Sequence, residues 1–138
     1  MERSRNFDAR PESVRAARRF VVSVLRETSA DPEVAELLTS ELATNAVVHA
    51  RTGFAVRVRT ADSGVRVEIV NDEPELLASL RDPDERGGRG LRIIESLAAR
   101  WGTESDPGHK IVWFELATGR AVHRQPSDWP SPGQSGSR

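Results

Sequence analysis

Two alternating segments joined by a short polar turn constrain the fold more than any other feature of the sequence. In residues 53–60, phenylalanine and valines occupy one face of an extended chain and arginines occupy much of the other. Residues 65–71 alternate in the same way, and Ala-Asp-Ser-Gly at positions 61–64 supplies the turn. The pattern predicts an antiparallel hairpin with one buried face.

Helical periodicity precedes the hairpin twice. Residues 11–28 repeat apolar side chains at steps of three and four, with a proline at the start and an arginine-rich opposite face. A second helix is predicted to begin after Asp31, whose side chain can cap free amides, and to run to about Ala50. Pro32 suits its first position because a proline there loses no hydrogen bond. The sequence therefore predicts two helices before the hairpin.

The second half of the chain combines a long loop, a helix and a strand. Residues 74–89 lack a sustained period and contain proline and glycine, which is typical of a functional or mobile loop. Helical spacing returns over residues 91–101, and Gly102 suits the left-handed position after a helix end. Residues 110–116 are predicted to form an apolar central strand. Residues 117–138 accumulate Pro, Ser, Gly and Gln, which predicts a disordered tail.

The size and charge of the chain argue against several classes of function. A length of 138 residues suits one domain, which we place at residues 1–116. Lys and Arg number 20 against 21 Asp and Glu, so the net charge of -1 gives no general attraction for nucleic acids or anionic membranes. The arginine-rich first helix alone does not predict DNA binding. Without cysteine, a membrane span or a secretion signal in the sequence, we predict a cytoplasmic location.

The second predicted helix carries polar side chains on a face that begins apolar. Val34, Leu38, Glu41, Asn45 and His49 follow one another at steps of four and three and therefore share one stripe. An inward carboxylate needs a cation, a hydrogen-bond partner or a wet cleft, because an unpaired buried charge costs several kcal/mol. A ligand-binding cleft would meet all three needs.

A rotation of the same helix gives the alternative interpretation. Leu37, Leu42 and Ala46 would then face the core, and Glu41 and Asn45 would lie in solvent. Periodicity alone does not separate the two orientations.

A glycine-rich segment, Arg-Gly-Gly-Arg-Gly at residues 86–90, directly precedes the third predicted helix. Backbone amides at a helix start form an anion site, and glycines allow a phosphate to approach them closely. The same pattern also occurs in flexible loop ends without a ligand. It is neither a P-loop nor a dinucleotide fingerprint, since no Gly-Lys-Ser/Thr follows and no strand leads straight into it.

Four segments occur in an order that resembles a known superfamily. They are Glu-Leu-x-x-Asn-Ala-x-x-His-Ala at residues 41–50, the hairpin end at Asn71, Gly-Arg-Gly-Leu at 88–91 and Gly-His-Lys-Ile-Val-Trp-Phe at 108–114. Over residues 6–116 the chain resembles the GHKL ATPases, specifically the histidine-kinase-like ATPases of the anti-sigma-factor serine kinase group.

The resemblance implies both a fold and a function. The fold would be an α/β (α+β) two-layer sandwich, with helices on one face of a mixed, mostly antiparallel sheet and a nucleotide between the layers under a lid at residues 74–86. The function would be that of an ATP-dependent serine/threonine kinase, which phosphorylates a serine of an anti-sigma-factor antagonist. A sigma factor is a second implied partner, and the implied assembly is a homodimer. The alternative is a catalytically weak or inactive nucleotide- or protein-binding regulatory module.

The resemblance also assigns roles to single residues. Glu41 would be the general base for the serine hydroxyl, and Asn45 would bind both the nucleotide and Mg2+ through its side-chain oxygen. The cofactors implied are ATP and Mg2+. The remaining nucleotide-binding residues implied near the third helix are Arg86, Gly88, Arg89, Gly90 and Leu91.

Asn71 departs from the family pattern, which places an aspartate at this position to accept a hydrogen bond from adenine. Its parity with Val65, Val67 and Ile69 predicts that it lies on the buried face. A neutral amide should cost about 1–2 kcal/mol, or roughly tenfold in ATP affinity. Because an amide can also donate, we predict a relaxed preference between adenine and guanine. Asp72 could take the role only if the register slipped by one residue.

Overall fold

A computed structural model describes residues 1–49, 53–71, 88–106 and 108–118 of the chain. The described part contains five strands and three helices. In chain order these are β1 (Glu2–Phe7), α1 (Glu12–Leu25), α2 (Pro32–His49), β2 (Phe54–Ala61), β3 (Gly64–Asn71), α3 (Gly88–Leu97), β4 (Arg100–Asp106) and β5 (His109–Ala117).

The strands form one sheet in the order β1-β2-β3-β5-β4. All four neighbouring pairs among the described strands are antiparallel. The predicted hairpin is confirmed, since β2 pairs with β3 and Val58 lies opposite Val67. The predicted strand at 110–116 is confirmed as β5, which has a neighbour on each side. β1 and β4 are the edges of this sheet.

One face of the sheet and the helices share a single apolar core. The strands contribute every second side chain, so that valines, isoleucine, phenylalanine and leucine from β2, β3 and β5 all point the same way. The core cluster includes Val56, Val58, Val65, Val67, Ile69, Val112, Phe114 and Leu116 of the sheet and Ala17, Val21, Leu38, Leu42 and Ile94 of the helices. The predicted two-layer α+β sandwich is confirmed.

Local chemistry sets the start of α2 as the sequence predicts. The Asp31 Oδ1 atom accepts hydrogen bonds from the backbone amides of Glu33 at 2.9 Å and Val34 at 3.4 Å. These contacts satisfy amides that have no partner inside the helix. Pro32 is the first residue of the helix, where its missing N–H costs nothing.

The third helix lies earlier in the chain than its apolar spacing predicts. It spans Gly88–Leu97, whereas Trp101 and Gly102 belong to β4 and not to a helix end. Gly102 does not have a positive φ among the described glycines. The Ala99 amide donates to the Glu115 carbonyl at 2.8 Å, so pairing with β5 redirects the chain just after the helix. Non-local strand pairing therefore overrides the local helical pattern.

The sheet face opposite the core carries a charge network centred on Arg66. This side chain is 3% exposed, and each of its three nitrogens meets a different carboxylate. Nε donates to Glu68 at 2.8 Å, Nη1 to Glu115 at 2.9 Å and Nη2 to Glu104 at 3.2 Å. Arg57 adds a bond of 2.8 Å to Glu68. The outer face is thus held by paired charges that alternate along β3 with the core valines.

Trp113 lies between this network and the edge strand. The Arg66 guanidinium is 4.0 Å from the centroid of the Trp113 ring. Gly102 is the register partner of Trp113 across the β4–β5 pair. A Cβ atom on Gly102 would come within 2.7 Å of the Trp113 Cζ2 atom. The absent side chain at position 102 therefore makes room for the indole ring.

We expect Gly102→Ala to lower stability by about 1–3 kcal/mol, because the ring must move in a closely packed layer. Urea unfolding would measure the change. Ser105→Ala, an exposed position on the same strand, is the control and should stay within about 0.5 kcal/mol of the wild type. Trp113→Leu in the Gly102→Ala background should recover part of the loss. Equal stability of Gly102→Ala and the wild type would contradict this packing.

Burial raises the pKa of the Glu115 carboxyl, although the hydrogen bond from Arg66 and the charges of Arg100 and Arg66 act in the opposite direction. A raised pKa in the folded state means that the folded protein holds this proton more tightly than the unfolded chain. The associated stability is present at low pH and is lost as pH rises through the folded-state pKa. Glu115→Gln removes this titration.

The stability of the wild type relative to Glu115→Gln should therefore fall as pH increases above 4.5, the ordinary pKa of the group. Denaturant unfolding of both proteins between pH 4 and pH 8 tests this expectation. An unchanged difference across this range, or one that grows in favour of the wild type, would contradict it. Glu27→Gln on the exposed surface is a control for the loss of one carboxylate.

Candidate functional site

The helix α2 places Glu41 and Asn45 at the border between its buried and exposed sides. Ala35, Leu38, Leu42, Ala43 and Ala46 are at most 1% exposed and form its buried side. Glu41 and Asn45 are half-buried, and Val48 is exposed.

The structure combines parts of both predicted orientations of α2. Leu42 and Ala46 face the core, as the rotated alternative requires, but Leu37 is 40% exposed. Glu41 and Asn45 do not lie in open solvent, as that alternative had them. The polar pair lies next to the core face of α2.

Neither polar side chain has a partner among the described residues. Glu41 and Asn45 form no hydrogen bond or ion pair there, whereas the buried carboxylates of the outer face are all paired with arginines. A half-buried carboxylate and amide without partners retain their full capacity to bind a proton donor or a cation. This is the combination that a catalytic base and a metal ligand require.

The neighbouring helices define the side of α2 to which the pair belongs. The Nη1 atom of Arg18 in α1 donates to the Ser40 hydroxyl at 3.2 Å, which places α1 on the Ser40 side of α2. Asn45 lies about 140° around the helix from Ser40, away from α1. The other described helix that contacts α2 is α3. Asn45 therefore lies on the side of α2 away from α1, and Glu41, about 100° around the helix from Ser40, lies between the two.

The predicted phosphate-binding segment forms the start of α3. Gly88, Arg89 and Gly90 are its first three residues, followed by Leu91. The first amides of a helix have no partner within it, and the helix dipole makes this end favourable for an anion. The predicted contacts of these four residues with a nucleotide stay predictions. Arg86, Gly87, Asp72 and the predicted lid at 74–86 lie outside the described residues, as does the tail beyond Thr118.

Asn71 lies on the core face of the sheet at the end of β3, as its parity with Ile69 predicts. It is 2% exposed, and its register partner is Lys110, so the described strand shows no slip. Its side-chain Nδ2 atom donates to the Gly53 carbonyl at 2.8 Å. One amide hydrogen is thus used within the protein, while contact of Asn71 with a base stays a prediction.

A cavity of about 360 Å³ lies beside Asn71 at this end of the sheet. Its walls come from the ends of β1, β2, β3 and β5, and they include Phe7, Phe54, Val70 and His109. Glu41 and Asn45 do not line it.

Sequence reasoning overlooked Gly53. Its φ is +97°, and a Cβ atom there would lie 2.6 Å from the Phe7 carbonyl oxygen. The glycine directly before the alternating strand is a signal for such a conformation, but its contact with Asn71 depends on how the hairpin pairs.

The donor set fits Mg2+ better than a transition metal. Among the described residues, no group of three His, Cys, Asp or Glu side chains could hold a metal ion. Mg2+ prefers oxygen ligands and commonly takes only one or two from the protein, together with waters and substrate phosphates. The unpartnered oxygen of Asn45 suits that arrangement.

A two-layer α+β fold, an inner helix with an unpartnered Glu-x-x-x-Asn pair and a helix that starts with glycines define a candidate nucleotide-binding domain. Residues 7–116 match the family model described as the histidine kinase-like ATPase domain. The chain belongs to this family.

Two solved structures share the fold. The RsbU and RsbW domains of Rv1364c from Mycobacterium tuberculosis match with a TM-score of 0.62 and 20% identity, covering 85% of this chain and 33% of that chain. The histidine kinase AdeS of Acinetobacter baumannii matches with a TM-score of 0.54 and 15% identity, covering 86% of this chain and 68% of that chain. The chain thus spans about a third of the Rv1364c structure.

A search of curated proteins found no match. Among the described helices, none has the length and apolar character that crossing a bilayer requires.

Asn45→Ala removes the oxygen that would bind Mg2+. We expect about tenfold to hundredfold weaker binding of ATP in the presence of Mg2+, the loss typical of a hydrogen bond or ligand contact to a charged group. Binding without Mg2+ should change little. Calorimetric titration with and without Mg2+ measures both, and Thr44→Ala, the exposed neighbouring position, is the control. An identical Mg2+ effect in Asn45→Ala and the wild type would exclude the assigned role.

Proposed function

We propose that this domain is an ATP-dependent regulatory protein kinase that phosphorylates a serine of an anti-sigma-factor antagonist. The observation that carries the proposal is the pair Glu41 and Asn45, half-buried and unpartnered, one turn apart on α2. A sigma factor is a second proposed partner. A homodimer and a cytoplasmic location complete the proposal.

The chemistry follows from the positions of these side chains. Residues at i and i+4 on a helix have Cβ atoms about 5–6 Å apart, so Glu41 and Asn45 can serve one phosphoryl group. The Asn45 oxygen would hold Mg2+, and the ion would neutralise negative charge on the phosphates. The backbone amides at the start of α3 would bind the phosphates.

Glu41 would act as the general base in the transfer step. The serine Oγ forms a bond to the γ-phosphorus of ATP while the bond from that phosphorus to the β,γ-bridging oxygen breaks. ADP leaves with the electron pair, and the Glu41 carboxylate accepts the serine proton. A carboxylate without an ion-pair partner is free for this purpose, unlike Glu68 and Glu115, which are bonded to Arg66.

The proposed partner class rests on two kinds of support. The sequence motif at 41–50 resembles the anti-sigma-factor serine kinase group. The fold is shared with a structure that contains an RsbW domain. Because the identity to that structure is 20%, the likeness establishes the fold, and the substrate belongs to the proposal.

Glu41→Gln should abolish most of the transfer while leaving nucleotide binding intact. General-base catalysis contributes about 10²- to 10⁴-fold, so we expect a loss of at least 100-fold in the rate of phosphoserine formation. The assay incubates the protein with Mg-ATP and a candidate antagonist and reads the mass increase of that antagonist. Glu36→Gln, at an exposed position on the same helix, is the matched control. Transfer by Glu41→Gln at the wild-type rate would refute the assigned base.

A nucleotide-dependent binding module is the second candidate. It is favoured by Asn71, which stands where the family has an aspartate and donates one amide hydrogen to Gly53. In that case the wild type would bind Mg-ATP and its partner but transfer no phosphate. The same mass measurement, combined with calorimetry, separates this function from the kinase.

A further inference from the structure

The contact between Asn71 and Gly53 has a fixed polarity. The Asn71 side chain lies 2.8 Å from the Gly53 carbonyl oxygen and is 2% exposed. A carbonyl oxygen can only accept, so the group that faces it must be the NH2 end of the amide. Exchange of the two ends would bring two oxygens together in a site with little access to water.

Gly53 has little freedom to move away from this contact. Its φ of +97° is a conformation that residues with a Cβ rarely adopt. A Cβ built on Gly53 would lie 2.6 Å from the Phe7 carbonyl oxygen, which shows how closely the end of β1 approaches. Phe7 in turn stacks on Phe54 with ring centroids 5.5 Å apart. The position of the Gly53 carbonyl is therefore set by the packing of β1 against β2.

We propose that Asn71 is a positioning residue that fastens the start of β2 to the end of β3, and that this chain requires an amide here because a carboxylate cannot donate to Gly53. Asparagine is then an adaptation to the Gly53 carbonyl and not simply a weakened form of the family's aspartate. The inference concerns the predicted base-binding position and so rests on and deepens the proposed function, but the contact itself lies wholly within the protein.

Charged groups around Asn71 act in both directions on a carboxylate at this position. Lys110 lies directly across the β3–β5 pair and would stabilise a negative charge. Asp8, which lines the adjacent cavity, would oppose it, and His109 lines the same cavity. The Gly53 carbonyl oxygen lies 2.8 Å from the side chain, and the position is almost fully buried. Both features favour a neutral group, and we expect them to outweigh Lys110.

Asn71→Asp is the direct test, measured as thermal unfolding of the full chain without nucleotide between pH 5 and pH 8. At pH 8 we expect a midpoint about 5 °C or more below that of the wild type, since a buried acceptor loses its donor. A protonated carboxyl can donate to Gly53, so its pKa in the folded state should be raised. The deficit should therefore shrink as pH falls, because stability linked to a raised pKa is present at low pH and lost at high pH.

Two further variants keep the test decisive. Asn6→Asp makes the same change of charge at an exposed residue that lines the same cavity, and it should show neither the deficit nor its pH dependence. Asn71→Ala removes the donor without adding a charge, so its deficit should stay constant with pH and be smaller than that of Asn71→Asp at pH 8. Asp8 and His109 are present in every protein compared.

Asn71→Asp with wild-type stability at pH 8, or with a deficit that grows as pH falls, would overturn the proposal. The second result would mean that an ion pair with Lys110 stabilises the introduced carboxylate. Calorimetry at neutral pH adds an independent comparison, in which Asn71→Asp should bind ATP no more tightly than the wild type. A tenfold gain in affinity would likewise overturn it. If the wild type bound no ATP, the proposed function would fail, whereas the unfolding result would stand unaffected.

Discussion

The structure depends on α2, because one side of this helix packs in the core and the edge of that side carries the candidate site residues. Leu38, Leu42 and Ala46 of α2 are almost fully buried between the sheet and the other helices. Glu41 and Asn45 lie at the edge of that buried side, where an unpaired polar group is partly shielded yet still reachable. Because the apolar residues fix the rotation of α2, they also fix where the carboxylate and the amide point. Packing and chemistry are therefore set by the same helical periodicity.

The two faces of the sheet make different interactions: one face packs its apolar side chains against the helices, and the other carries paired charges. β3 alternates Val65, Val67 and Ile69 toward the helices with Arg66 and Glu68 toward the outer face. The outer charges are buried but mutually bonded, and removal of one partner would leave another uncompensated. Paired charges at this surface specify the register of β3 against β5. The same register brings Asn71 to the end of the core face.

Sequence patterns predicted the elements whose signals are local. The hairpin, α1, α2 and β5 follow from periods of two or 3.6 residues and from the Asp31 cap. β1 carries an apolar residue only at Phe7, so its pairing with β2 was not visible in its own sequence. Residues near Trp101 continued a helical spacing, although pairing with β5 makes them a strand. The polar stripe of α2 predicted the candidate pair Glu41 and Asn45, but not the Gly53 contact, which joins residues 18 positions apart through a backbone carbonyl.

Asn71 shows why a departure from a family motif has to be interpreted together with its neighbours. From the sequence alone, the exchange of aspartate for asparagine reads as a lost acceptor and a weaker base contact. In the structure the amide supplies a donor that a carboxylate lacks, to a carbonyl held in place by the approach of β1 to Gly53. A substitution that weakens one interaction can therefore be required by another. The residue type at position 71 is set by the hairpin as well as by any ligand. Comparison of the sequence with the family motif takes only the ligand contact into account.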